Sequence, residues 1–228
     1  MMVQIPRLLD GAGVTALRSR LQAPDAPWVD GRVTAGHTGA PVKSNQQTDE
    51  HSALTRALGQ TVLAALERNT LFISAALPQR VYPPLFNRYG PGMHFGAHVD
   101  GAVRLLPGSG EKLRTDLSAT LFLEDPQAYD GGELQIEDSY GLQRVKLAAG
   151  DMVLYPASSL HRVTPVTRGT RLACFFWVQS MVRDDGQRTL LFDMDRAIQR
   201  LLATGADTSA CVALTGVYHN LLRQWAEP

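Results

Sequence analysis

Apolar and polar positions alternate through the middle of the chain. Between Thr115 and Glu124, Leu117, Ala119, Leu121 and Leu123 fall on one side of an extended strand, with Ser118, Thr120 and Phe122 on the other. Comparable runs predict strands over 81–89, 93–100, 133–137, 143–147, 151–155, 160–166 and 170–179. Gly131-Gly132, Ser139-Tyr140-Gly141, Ala149-Gly150 and Arg168-Gly169 separate them as turns. Eight short strands at such close spacing predict a sandwich or jelly roll rather than an alternating α/β fold.

Helical periodicity takes over on both flanks. Asp10 is placed to cap a helix carrying Val14, Leu17 and Leu21, and a second helix is predicted over 50–67 with Leu54, Leu58, Val62 and Leu66 on one face. The Gly/Pro/Thr-rich stretch 24–41 between them reads as loop, with one short strand around 28–33. Beyond 183, Met194, Ile198, Leu201 and Leu202 mark one amphipathic stretch, stopped near Gly205. Cys211, Leu214, Tyr218, Leu221, Leu222 and Trp225 mark another. The expectation is a mainly β protein with flanking helices: a domain over 1–180 with N-terminal helices, and a C-terminal helical extension over 181–228.

Composition narrows the class. Lys+Arg and Asp+Glu are equal at 22 each, so the charge balance gives no reason to expect nucleic acid or a membrane surface as a partner. Two cysteines, Cys174 and Cys211, are too few for a disulfide framework and lack a zinc-type spacing. No basic run followed by an apolar core opens the chain, so the expected location is cytoplasmic.

The candidate chemistry lies at 87–100. His98 and Asp100 are two positions apart, which puts both side chains on one face of an extended strand. With His161, about five strands later, they make two imidazoles and a carboxylate, the set that holds non-heme Fe(II) on one face and leaves positions open. The plain alternative is a surface pair and an ordinary turn histidine. Pairing His94 with His98 as on a zinc-protease helix fails, because Gly90, Pro91, Gly92 and Gly96 oppose a helix and the general-base glutamate is missing. On an unbroken strand His94 shares the parity of His98 and Asp100, so it is either a residue of the cavity mouth or, the preferred reading, an ordinary hydrogen-bonded histidine. On the strand opened by Arg171, cavity-facing positions would be Arg171, Ala173, Phe175, Trp177 and Gln179, with Leu172, Cys174, Phe176 and Val178 facing away. Arg171 is either an exposed strand-end charge or a cation that clamps a carboxylate in two-point fashion. Metal plus carboxylate anchor points to an oxygenase that consumes a 2-oxo acid.

Several blocks carry a family resemblance: Arg88-Tyr89-x-x-Gly92 leading into His98-x-Asp100, the run 114–123, Tyr129-Asp130-Gly131-Gly132-Glu133-Leu134, Gly150-Asp151-Met152-Val153-Leu154-Tyr155-Pro156, Leu160-His161-Arg162-Val163, and Pro165-Val166-Thr167-x-Gly169-x-Arg171. In these the chain resembles the Fe(II)/2-oxoglutarate dioxygenases of the prolyl 4-hydroxylase superfamily, and more closely the bacterial PKHD-type hydroxylases (the PiuC/YbiX group). The resemblance implies a double-stranded β-helix, Fe(II) on His98, Asp100 and His161, and Arg171 on the distal carboxylate of 2-oxoglutarate. Tyr89 matches a tyrosine that can bond the same carboxylate, or is a packed strand aromatic.

The implied reaction is hydroxylation of a C–H bond with O2, as 2-oxoglutarate is decarboxylated to succinate and CO2, with L-ascorbate as a further cofactor. Three targets stay open: a peptidyl proline, an iron-chelator-related small molecule in iron uptake, or no reaction at all in a jelly-roll metal or oxo-acid sensor. The long connection 101–114, with Arg104, Lys112 and Arg114, reads either as a lid that contacts the primary substrate or as a solvated loop.

Overall fold

The strand Leu117–Phe122 is buried along its whole length, and its alternation divides the molecule into two cores. Leu117, Ala119 and Leu121 join a core with the helices on one side, while Phe122 joins a second core on the other. The computed structural model describes residues 1–36, 39–138 and 141–227. The predicted turn at Ser139-Tyr140-Gly141 falls largely outside the described residues.

Among the described residues, a larger antiparallel sheet runs in the spatial order Val3–Ile5, Met152–Pro156, Leu117–Phe122, Arg171–Ser180, Leu85–Tyr89, Gln46–Thr48 and Trp28–Asp30. Pro78–Val81 pairs with the far end of Arg171–Ser180. A smaller sheet is ordered Gly141–Val145, Leu134–Asp138, His161–Val163, His94–His98 and Lys43–Ser44. Tyr89, Phe122, Val153 and Tyr155 from the larger sheet meet Leu134, Ile136, Val145 and Val163 from the smaller, which makes the jelly-roll interior. The eight predicted strands are all present. Two of the predicted runs are divided, at 82–84 and 164–165.

The outer face of the larger sheet is covered by helices. Gly11–Leu21 is capped by the Asp10 carboxylate, which accepts from Gly13 N at 2.7 Å, and buries Val14, Leu17 and Leu21. Ala53–Glu67 starts behind Ser52 and buries Leu58, Val62 and Leu66. Against them stand Leu172, Phe176 and Val178, each worth about 1.5–3 kcal/mol when fully withdrawn from water. Cys174 lies among them, fully buried, as the alternation required. The short strand expected around 28–33 is Trp28–Asp30, which ends where the Asp30 carboxylate accepts from Arg32 N and starts a short 3-10 turn over Gly31–Thr34.

Asp185–Ala203 and Thr208–Trp225 form an antiparallel helical pair at the C-terminal end. Val182 and Leu191 pack with Tyr218, Leu221, Leu222 and Trp225, and Ser74 Oγ donates to Asp195 at 2.6 Å to tie the pair to Thr70–Ala76. Arg188 is buried here and donates to the Val182 and Arg183 carbonyls at 2.7 and 2.6 Å. None of the described helices is long and apolar enough to cross a membrane.

Candidate metal centre

Antiparallel pairing brings the two histidines together. His161 is the Cα partner of His98, and Val163 is the partner of Phe95. Two steps along one strand therefore match three along the other, so His94–His98 carries one extra residue. That shift changes the expected parity. Phe95, not His94, turns into the cavity and stacks on the His98 ring with centroids 3.6 Å apart. His94 sits half-buried with Nδ1 3.3 Å from the Gly92 carbonyl, an ordinary hydrogen-bonded histidine as read from the sequence.

His98, Asp100 and His161 lie with one potential ligand atom each within 4.8 Å of one another. Both Nε2 atoms are 3.8 Å from the Asp100 carboxylate, on Oδ1 for His98 and Oδ2 for His161. Each histidine uses its other nitrogen locally: His98 Nδ1–H donates to the Gly96 carbonyl at 2.8 Å, and His161 Nδ1–H to the Ser159 carbonyl at 3.0 Å. These bonds fix the tautomer, so both Nε2 lone pairs face Asp100. Burial, helped by neighbouring His161, pulls His98 down to about 4, so its lone pair is free at neutral pH. Two imidazoles and a carboxylate fit a divalent transition metal.

Ser118 completes the arrangement from the opposite sheet, donating to Asp100 Oδ2 at 2.5 Å. Sequence reading placed Ser118 and Thr120 opposite the leucines of their strand but gave them no role. The signal was there: polar side chains at inward positions of a strand buried on both faces need partners. Tyr155 sits edge-on to His161, with ring centroids 5.3 Å apart. Its hydroxyl is pushed well up by burial, with the Asp100 charge adding to the effect.

Arg171 opens the adjoining strand and is 1% exposed. It pairs in register with Tyr89, and its guanidinium lies 5.3 Å from the Tyr89 ring centroid and 5.4 Å from that of Phe122. Among the described residues its side chain makes one long hydrogen bond, from Nη1 to Asn87 Oδ1 at 3.4 Å, and Nε is buried with no partner. Arg171, Tyr89 and Asn87 line the same cavity as the three-residue cluster, a space of about 520 Å³. Ala173 is buried, and Phe175 and Trp177 follow on the inward side, but Gln179 lies beyond the cavity, accepting from Arg114 N and donating to Gln79.

The connection 101–114 is not a plain loop. Val103–Leu105 and Lys112–Arg114 form a two-stranded hairpin, and Arg104 lies against Trp177 with its guanidinium 4.0 Å from the ring centroid.

Residues 84–179 match the 2OG-Fe(II) oxygenase superfamily, and residues 185–227 match the PKHD-type hydroxylase C-terminal domain. A PKHD-type hydroxylase of Burkholderia ambifaria is 68% identical over 227 residues, and one of Paraburkholderia xenovorans is 63% identical over 228; both alignments cover all of each chain. Two solved structures share the fold. A Pseudomonas putida prolyl-4-hydroxylase has TM-score 0.53 at 24% identity, over 78% of this chain and 92% of its own. A Trichoplax adhaerens prolyl hydroxylase has TM-score 0.58 at 14% identity, over 83% and 86%. Fold and matches together define a hydroxylase of the 2OG-Fe(II) oxygenase class. Within that class, the chain belongs to the PKHD-type hydroxylase family.

Proposed function

We propose that His98, Asp100 and His161 hold Fe(II), and that Arg171 binds the distal carboxylate of 2-oxoglutarate in the same cavity. The observation that carries this reading is Arg171 itself. A buried guanidinium with an unpaired Nε and one long hydrogen bond is costly unless an anion joins it. Tyr89, in register beside it, is proposed as a second donor to that carboxylate.

Bound there, Fe(II) supplies oxygen activation driven by decarboxylation of the oxo acid, with succinate and CO2 leaving and a substrate C–H becoming C–OH. The protein's own work is positional. Nδ1 bonds to backbone carbonyls keep His98 and His161 in the ligating tautomer, Ser118 orients Asp100, and Arg171 fixes the direction in which the oxo acid lies. Phe95, Phe175, Trp177 and Tyr155 line the cavity and exclude water.

Peptidyl proline is the proposed target by analogy with the prolyl hydroxylases that share the fold, with an iron-chelator-related small molecule as the alternative. L-ascorbate as an auxiliary reductant, a cytoplasmic location, and division of the chain into 1–180 and 181–228 belong to the same proposal. The division is supported by the separate family matches ending at 179 and beginning at 185.

The test is anaerobic addition of 2-oxoglutarate to Fe(II)-loaded protein, read as a metal-to-ligand charge-transfer band, followed by oxygen and succinate measurement. Absence of both from fully metallated protein overturns the reading.

A further inference from the structure

The cavity holds two more cations that the chemistry above does not use. Lys43, from the edge strand Lys43–Ser44, is 7% exposed, and its Nζ reaches the neutral oxygens Thr34 Oγ1 and Gln47 Oε1, both at 3.3 Å. Arg104 comes from the hairpin on the other side. Its guanidinium lies against two aromatic rings that meet edge to face, 4.0 Å from the Trp177 centroid and 5.2 Å from that of Tyr82, and its Nε is buried without a partner. Among the described residues neither cation forms an ion pair.

The two charges act on each other. Burial first, and then the Arg104 charge, pull the Lys43 ammonium down to about 8, which still leaves it protonated at neutral pH. The cavity's carboxylates are committed elsewhere. Asp100 belongs to the metal cluster, and Glu50 accepts from the Tyr82 hydroxyl at 3.1 Å and lies 3.6 Å from His51 Nε2. Two confined like charges without a counter-ion favour the entry of an anion. The surroundings are apolar: Phe95, Phe175 and Trp177 inside, and Val33, Val99 and Val103 on the rim, each more than half exposed.

We propose that Lys43 and Arg104 bind the acidic group of the primary substrate, an organic anion with an apolar body. The inference rests on Arg171 serving the oxo acid, which leaves these two cations for the second anion. It makes the 101–114 hairpin a recognition element through one side chain, Arg104, which lies against Trp177 and lines the cavity.

Benzenesulfonate is a suitable probe, because a sulfonate is a weak metal ligand, and methyl phenyl sulfone is its neutral counterpart. Both are titrated calorimetrically into anaerobic protein carrying Fe(II) and saturating 2-oxoglutarate, at low salt. Benzenesulfonate is expected to bind about ten-fold or more tightly than the sulfone, a difference that one charge-assisted hydrogen bond supplies. Arg104→Gln and Lys43→Gln should each remove most of that preference, and Arg104→Lys should restore part of it. Equal binding of the two probes, or an unchanged preference in both glutamine variants, overturns the proposal. The 2-oxoglutarate titration is run on every variant. Variants that lose the oxo acid together with the sulfonate also overturn the proposal, since the two anions would then share one site. A parent protein that binds benzenesulfonate but not 2-oxoglutarate refutes the role given to Arg171 instead.

Discussion

Ser118 donates to Asp100 Oδ2 at 2.5 Å and thereby bridges the two sheets of the jelly roll. His98 and His161 sit on the smaller sheet, whereas Ser118 projects from the larger one. Asp100 lies just past the end of the His94–His98 strand, where ladder bonds no longer fix it. Its carboxylate is held from across the cavity.

Ser118→Ala should therefore weaken Fe(II) binding by about 10–100-fold, the usual effect of losing a partner behind a metal ligand. Anaerobic Fe(II) titration measures it. Unchanged affinity would mean that Asp100 is positioned by its own backbone.

Arg171→Met tests the buried cation. Two charge-assisted bonds at about 1.5 kcal/mol each, the low end of their range, correspond to a loss of roughly 100-fold in 2-oxoglutarate affinity. Without the oxo acid the variant should melt no lower than the parent, because an unpaired buried charge has been removed. Adding 2-oxoglutarate should raise the melting temperature of the parent alone.

Gly131→Ala should destabilise the fold where its turn meets Pro165. Gly131 has φ +71°, and a Cβ there would come 2.0 Å from the Pro165 carbonyl oxygen. Backbone strain alone costs about 1–3 kcal/mol, and the clash adds to it. Urea unfolding should show a midpoint shift, and a variant as stable as the parent would contradict the close approach.

Cys174 should resist alkylation at neutral pH until the protein unfolds. It is fully buried, and burial pushes its thiol well above the ordinary value, so little thiolate is present. Mass spectrometry after iodoacetamide treatment, with and without denaturant, reads the difference.

Much of this was legible in the sequence wherever a pattern ran long enough. The Leu117–Phe122 alternation, Cys174 on the face opposite Arg171, and the first helix behind its Asp10 cap each follow from period and chemistry that neighbouring residues reinforce, whereas the period alone left open whether Arg171 itself was buried. Short pieces were not legible. Lys43–Ser44 and Gln46–Thr48 are strands because an edge is available to pair with, which local composition does not encode. Thr70–Ala76 is seven residues, too short for a periodic signal. The extra residue beside Phe95 was invisible for a related reason: a register shift belongs to a pair of strands, and reading one strand assumes an unbroken parity.

The alternation along Arg171–Ser180 also decides where an oxidising enzyme would scar itself. Cys174, an easily oxidised sulfur, lies on the helix side of the sheet, behind a full layer of backbone from the cluster of His98, Asp100 and His161. Phe95, Phe175 and Trp177 stand on the cluster side. When turnover runs without substrate, hydroxylated aromatic rings, not oxidised cysteine, are the lesions this architecture would collect. The first of them to matter would be Trp177, because Arg104 leans on it.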